Sequence, residues 1–122
     1  MSLTSGHARV GLTISRDTLI ISVQVELYND VLHALQNDAL SMMQKHHLQA
    51  LILDLSHVHL IDYDIAKQLA NTLVMAKLLG AACVIAGIQP NIAAAMSDWG
   101  DIWQGFTTVR HVDGGLTLLH HA

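Results

Sequence analysis

Two apolar runs constrain the fold of this chain more than any other feature. The first is "ALILDL" (Ala50–Leu55), and the second is "AACVIAG" (81–87). Such runs are typical of strands that are covered on both faces, as in parallel sheets. Between them, apolar residues recur at helical spacing from Ile65 to Val74, which predicts the inner stripe of a helix. The pattern therefore predicts a strand–helix–strand unit with a right-handed crossover.

The segment before Ala50 predicts a hairpin and a helix. Apolar and polar residues alternate from Leu19 to Leu27, through Val25, which is the period of a half-buried strand. Arg16-Asp17 interrupts the run and predicts a turn between two antiparallel strands. Asn29-Asp30 supplies helix caps, and the helix that follows is expected to end near His46-His47.

The later helices carry start and stop signals. Asp62 is a candidate N-cap for the helix between the two apolar runs, and Gly80 is its stop. Pro90 suits the first turn of the next helix, which Gly100 ends. The segments "FTTVRHV" and "DGGLTLLHH" then predict a short strand and a brief last helix.

The predicted fold class is α/β, with a four- to five-stranded mixed, largely parallel sheet packed with about four helices. The element order is β-β-α-β-α-β-α-β-α. At 122 residues the chain is expected to form a single domain over residues 1–122, with an ordered core of about 10–119.

Composition narrows the function classes. Hydrophobic residues make up 52% and charged residues only 13%, which favours a homo-oligomer or another stable complex that covers apolar surface. The net charge of −4 argues against nucleic-acid binding. Every apolar stretch is interrupted well short of a membrane span. The single cysteine, Cys83, lies in an apolar run and favours a reduced, cytoplasmic protein.

The stretch "LSHVHLIDYDIAK" (Leu55–Lys67) raises two chemical hypotheses. His57 and His59 alternate on an extended segment and could share a metal with Asp62, but no further ligand follows at a suitable spacing. Asp62 and Asp64 stand at a helix start, which stabilises charged carboxylates, whereas a general acid needs the protonated form. We therefore expect no catalytic residue, no metal site and no cofactor. A metal-binding enzyme built on His57, His59 and Asp62 stays open as an alternative.

The pieces "LDLS", "IDYDIAK", "MAKLLGA" and "GIQP" occur in an order and spacing that resemble the STAS domain family. The resemblance runs from about Leu12 to Leu119, and within the family it favours the RsbS-like stressosome branch. It implies a non-enzymatic signalling scaffold in the general stress response. Such a scaffold co-assembles with RsbR-like paralogues that carry a sensor domain, and it sequesters an RsbT-type Ser/Thr kinase. A free-standing anti-sigma-factor antagonist is the alternative within the same family.

The family's phosphorylation switch is a Ser or Thr at the start of the helix after the central strand. Tyr63 takes that position here, and Ala86 takes a second position that some relatives use, before "GIQP". The resemblance therefore implies a subunit that is not switched there in the usual way. Asp64 as a fixed charge and Tyr63 as a partner contact are open alternatives. The predicted partner-binding residues are His57, His59, Asp62, Tyr63, Asp64 and Lys67.

The sequence also supports predictions for three other side chains. Burial is expected for at least one of Trp99 and Trp103, and an exposed tryptophan there is a candidate contact anchor. Ser56 is expected to satisfy backbone groups at the strand end rather than to accept phosphate.

Overall fold

The structure is a computed structural model that describes residues 10–23, 29–100 and 102–120. The elements are β1 (Val10–Ser15), β2 (Thr18–Val23), α1 (Asn29–Lys45), β3 (Ala50–Asp54), α2 (Tyr63–Leu78), β4 (Ala82–Ala86), α3 (Pro90–Asp98), β5 (Thr107–Val109) and α4 (Val112–His120). The predicted element order and the predicted α/β class are confirmed. Within these residues, no helix has both the length and the apolar character that crossing a membrane requires.

The strands form one five-stranded sheet in the order β1-β2-β3-β4-β5. β1 runs antiparallel to β2, and the other neighbours are parallel, so the predicted mixed, largely parallel sheet is confirmed. Ser15 pairs with Thr18, which leaves Arg16-Asp17 as the predicted two-residue turn. Arg16 has a φ of 56°, as tight hairpin turns require at their first central position. Val25 and Leu27 lie outside the described residues.

The central strand β3 is covered on both faces, as its continuous apolar run predicts. Leu51 and Leu53 pack into the core formed with α1 and α2, whereas Ile52 belongs to a second cluster with α4. None of the three side chains is more than 2% exposed. Burying a side chain of this size stabilises the fold by about 1.5–3 kcal/mol. The sheet is therefore held from two sides, by different helices.

The inner stripe of α2 differs from the prediction at one position. The helical spacing predicts that Val74 faces the core, and this prediction is wrong because Val74 is 45% exposed. Leu73 occupies the inner position, and the next residue is rotated by about 100° around the helix axis. Thr72 is buried on the other side of Leu73, where its hydroxyl donates to the carbonyl of Gln68 at 3.0 Å. That hydrogen bond satisfies the polar group and allows a threonine to take a core position.

The register of the parallel strands brings three chain segments to one edge of the sheet. Asp54 pairs with Ala86, and Ala86 pairs with Val109, so β3, β4 and β5 end side by side. The segments that follow these strands therefore meet at the carboxyl edge. Ligands of open α/β sheets commonly bind at this edge.

Candidate functional site

The loop between β3 and α2 is anchored by its apolar residues and presents its polar residues to solvent. Leu55 donates its backbone N–H to the carbonyl of Ala86 at 2.9 Å, and Val58 donates to the carbonyl of Leu55 at 3.0 Å. The side chains of Leu55 and Val58 are buried, while those of His57 and His59 are exposed. The loop is therefore held from beneath and leaves an accessible outer surface.

The start of α2 has the capping geometry that the sequence predicts. Asp62 has extended backbone angles, and its carboxylate accepts the backbone N–H of Ile65 at 2.8 Å. This bond satisfies one of the free N–H groups of the first turn. Asp64 follows in that turn, and its carboxylate accepts a hydrogen bond from the Gln68 side-chain amide at 3.2 Å. The helix thus begins with two exposed carboxylates.

Tyr63 is the first residue of α2 and is 45% exposed. Its ring meets the ring of Trp99 edge to face, with the centroids 6.0 Å apart and the planes at 74°. Such aromatic pairs stabilise a structure by more than the burial of their apolar area alone. Trp99 is half-buried and Trp103 is buried, which confirms that at least one of the two tryptophans lies in the core. Trp99 therefore orients Tyr63 and does not stand alone on the surface.

Ala86, which the family resemblance predicts to take a second switch position, is inaccessible. Ala86 ends β4 with a fully buried side chain, and it belongs to the cluster beneath α4. A hydroxyl at this position would face Ile52 and Val84 and not a partner protein. The two positions at which the family resemblance implies a hydroxyl thus differ in access, because Tyr63 is open to solvent and Ala86 is not.

The two histidines of the loop lie on the surface. The Nδ1 atom of His57 is 3.3 Å from the Oγ of Ser56, and the carbonyl of His59 accepts a hydrogen bond from the side-chain amide of Asn91. In the described part of the chain, no three His, Cys, Asp or Glu side chains come together as a metal-binding group.

The surroundings of Ser56 differ from the expectation. The carboxylate of Asp54, and not the Ser56 hydroxyl, satisfies the free backbone group at the strand end, since it accepts the N–H of Ser56 at 3.0 Å. The Ser56 hydroxyl contacts His57 instead. An aspartate next to a turn commonly accepts the backbone N–H two residues later. Because of this preference, Asp54 and not Ser56 satisfies the free backbone group at the end of β3.

Contacts from the start of α3 fix this loop, and the sequence pattern did not indicate them. The side-chain amide of Gln89 donates to the carbonyl of Ser56 at 2.6 Å, next to the Asn91 contact with the same loop. Gly87 approaches so closely that a Cβ on it would lie 2.7 Å from the Cβ of Ser56. These contacts join residues more than 30 positions apart, so no local sequence motif predicts them.

We use the name α2 N-terminal surface for the exposed residues around the start of α2. All six predicted partner-binding residues are exposed and lie on it. Leu60 joins them with 69% of its side chain exposed, and its only signal in the sequence is an apolar residue within a polar loop. The α2 N-terminal surface comprises His57, His59, Leu60, Asp62, Tyr63, Asp64 and Lys67.

Comparisons with known proteins converge on one fold. A family model described as the STAS domain matches residues 9–101. A variant of RsbS from Moorella thermoacetica is similar at 22% identity with a TM-score of 0.81, covering 93% of this chain and 97% of that chain. A structure described as the molecular architecture of the stressosome, a signal integration and transduction hub, is similar at 21% identity with a TM-score of 0.77. It covers 91% of this chain and 96% of that chain.

A third similar structure is the anti-sigma-factor antagonist SpoIIAA in its unphosphorylated form. It is 9% identical with a TM-score of 0.72, covering 93% of this chain and 99% of that chain. At these identities the structural likeness concerns the fold alone. A comparison with curated proteins gave no significant match.

Proposed function

This chain belongs to the STAS domain family, and we propose that it is a non-enzymatic signalling scaffold, an RsbS-like subunit of a stressosome-type complex in the cytoplasm. Its partners in this proposal are RsbR-like STAS paralogues with a sensor domain and an RsbT-type Ser/Thr kinase, which the complex sequesters. The similarity to RsbS and to stressosome structures supports the choice within the family.

The observation that carries the proposal is the α2 N-terminal surface. Leu60 and Tyr63 leave large apolar area in solvent, and the carboxylates of Asp62 and Asp64 flank them. Apolar and aromatic side chains within a polar rim are typical of protein–protein interfaces. Trp99 contacts the ring of Tyr63 edge to face, so the tyrosine ring is oriented before a partner arrives. A pre-oriented ring loses less side-chain entropy on binding.

Regulation in this proposal lies in the paralogues and not in this subunit. A phosphate at a helix N-terminus adds about −1.5 to −2 charges where free N–H groups favour it. The residue at that place is Tyr63, which a Ser/Thr kinase does not normally use, and Ala86 carries no hydroxyl. Asp62 and Asp64 instead give the surface a constant negative charge. This subunit therefore presents one binding state.

Co-expression tests the assembly. We expect the full chain and an RsbR-like paralogue with its sensor domain to elute together as high-molecular-weight particles, which electron microscopy would show as uniform assemblies. The chain alone serves as the reference for self-association. Separate elution of the two proteins as small species would contradict the scaffold role.

A matched pair of leucine variants tests the kinase contact. Leu60 is 69% exposed on the α2 N-terminal surface, and Leu118 is 52% exposed on α4. We expect Leu60→Ala to weaken binding of the RsbT-type kinase by about tenfold, which is the effect of one interface anchor. Leu118→Ala loses a similar side chain on a different helix and should leave the affinity unchanged. Isothermal titration calorimetry measures both affinities. Equal losses of kinase affinity in the two variants would show that the α2 N-terminal surface is not the kinase contact.

A phosphorylation assay tests the fixed state. The kinase and ATP should leave the natural chain unmodified, whereas Tyr63→Ser should accept phosphate at the start of α2, as mass spectrometry would show. Ready phosphorylation of Ser56 or Tyr63 in the natural chain would overturn the claim that this subunit is not switched.

The second candidate function is a free-standing antagonist that binds an anti-sigma factor. The fold shared with SpoIIAA favours it. Capture of an anti-sigma factor by the isolated chain, without any paralogue, would distinguish this function from the scaffold role.

A further inference from the structure

A second feature of the carboxyl edge is an open cleft of about 430 Å³ beside the ends of β3, β4 and β5. Ser56 and Gly87 line the cleft together with Thr108, Arg110 and His111. The volume lies within the range of small-molecule sites, about 300–1,000 Å³. The position at the carboxyl ends of parallel strands is where open α/β sheets usually bind ligands.

The charge of the cleft is opposite to that of the whole chain. The chain carries a net charge of −4, yet none of the eight residues that line the cleft is an Asp or a Glu. Arg110 contributes a permanent positive charge, and His111 next to it adds a second one when it is protonated. Both side chains are exposed, so their N–H groups are open to a ligand. A cation in a cleft attracts small anions.

The remaining polar groups suit an oxyanion. The guanidinium of arginine presents N–H groups in a planar fork that binds phosphate oxygens in pairs. The hydroxyl of Thr108 is a further donor on the cleft lining. Gln89 also lines the cleft, and its side-chain amide donates to the carbonyl of Ser56 at 2.6 Å, so these two lining residues are held together before any ligand binds.

From these features we propose that the cleft binds a tetrahedral oxyanion, either inorganic phosphate or a small phosphate monoester, with Arg110 as its principal contact. The ligand would lie against Ser56, the residue from which the loop to the α2 N-terminal surface departs. A bound phosphate therefore places negative charge beside this loop without a covalent modification. The inference is independent of the proposed function, because the isolated chain is sufficient to test it.

Amide chemical shifts provide the test. We expect inorganic phosphate, added to the ¹⁵N-labelled full chain, to cause saturable shifts at Ser56, Gly87, Thr108, Arg110 and His111. Chloride at matched ionic strength should not cause them, because simple screening acts on all exposed charges. Glycerol phosphate in a parallel titration distinguishes the two ligands. Tighter binding of the ester identifies a monoester site, and tighter binding of inorganic phosphate identifies a phosphate site.

Two arginine variants provide the control. Arg110→Gln should weaken phosphate binding by about tenfold or more, because it removes the charge and the paired N–H groups. Arg16→Gln removes the same charge from the β1–β2 turn, which precedes β2 and lies at the edge of the sheet opposite the cleft. This variant should bind phosphate as tightly as the natural chain does. The undisturbed remainder of each spectrum reports that the variant is folded. Unsaturable shifts, or the same affinity in Arg110→Gln as in the natural chain, would overturn the proposal.

Discussion

Two neighbouring regions at the same edge of the sheet differ in the chemistry that they present. The α2 N-terminal surface combines the apolar side chains of Leu60 and Tyr63 with two carboxylates at a helix start. The cleft beside it is lined by Arg110, hydroxyl groups and no carboxylate. The first pattern suits a protein partner, and the second suits a small anion. In our two proposals, one sheet edge therefore carries a macromolecular contact and a ligand site side by side.

The two regions meet where Ser56 contacts Gly87. Ser56 is part of the cleft wall and also begins the loop to α2, and the N–H of Gly87 donates to the carbonyl of Val109 at 3.0 Å. Gly87 has a φ of 75°, a conformation that side chains other than glycine rarely adopt. A change at this junction should disturb both regions, whereas changes elsewhere should separate them.

The largest effect is expected for Gly87→Ala. Its Cβ would lie 2.7 Å from the Cβ and 2.9 Å from the Cα of Ser56, so the backbone must move. Gly80→Ala is the matched control, because Gly80 has a φ of 95° and no atom within 4 Å of an added Cβ. We expect Gly80→Ala to lower the free energy of unfolding by about 1–2 kcal/mol from the left-handed conformation alone.

Gly87→Ala should exceed that loss by at least about 2 kcal/mol, since steric overlap adds to the backbone strain. Urea-induced unfolding followed by circular dichroism measures both losses. Equal losses in the two variants would show that the approach of Gly87 to Ser56 does not constrain the edge, and the comparison of two joined regions would then fail.

A smaller effect is expected for the helix cap of the α2 N-terminal surface. Asp62→Ala removes the acceptor for the N–H of Ile65 and should lower the free energy of unfolding by about 1 kcal/mol. Asp62→Asn keeps an acceptor oxygen and should lose less than about 0.5 kcal/mol, because asparagine caps as well as aspartate. Both values come from chemical denaturation at neutral pH.

If Asp62→Asn proves as costly as Asp62→Ala, the negative charge at the helix start and not the hydrogen bond is what stabilises it. Neither variant should change phosphate binding in the cleft, provided that the two regions act independently at this position.

The smallest effect concerns Cys83, which lies on β4 away from the carboxyl edge and whose titration is governed mainly by burial. Burial raises the pKa of this thiol from 9.0 to about 11, and the positive charge of Lys77 partly opposes the rise. The folded chain therefore holds this proton more tightly than the unfolded chain does. The contribution of Cys83 to stability should be constant below pH 9 and decline as the pH rises towards 11.

Alkylation rates check this prediction. At pH 8 the folded chain should react with iodoacetamide far more slowly than the chain in urea, because the thiolate is the reactive form. Lys77→Met removes the charge that lowers the pKa and should slow the reaction further. A reaction as fast in the folded state as in urea would contradict the assigned environment of Cys83.

Local patterns predicted much of the fold and the outline of the surface. The apolar run of β3, the turn at Arg16-Asp17 and the cap at Asp62 each depend on residues that are close in the chain. The prediction for Val74 is wrong because helical periodicity does not define how wide the buried stripe of a helix is. Thr72 fills the core instead, since a hydrogen bond within its own helix satisfies it.

By itself the sequence determined the order of the elements, the family resemblance and the absence of a serine or threonine at residues 63 and 86. These properties follow from residue types and from periods of two and 3.6 residues along the chain. Only the tertiary structure decided that Tyr63 packs against Trp99, that Ala86 is buried and that Ser56 and Arg110 line one cleft. Such contacts join residues far apart in the chain, because parallel strands separated by helices bring their carboxyl ends together only when the sheet forms.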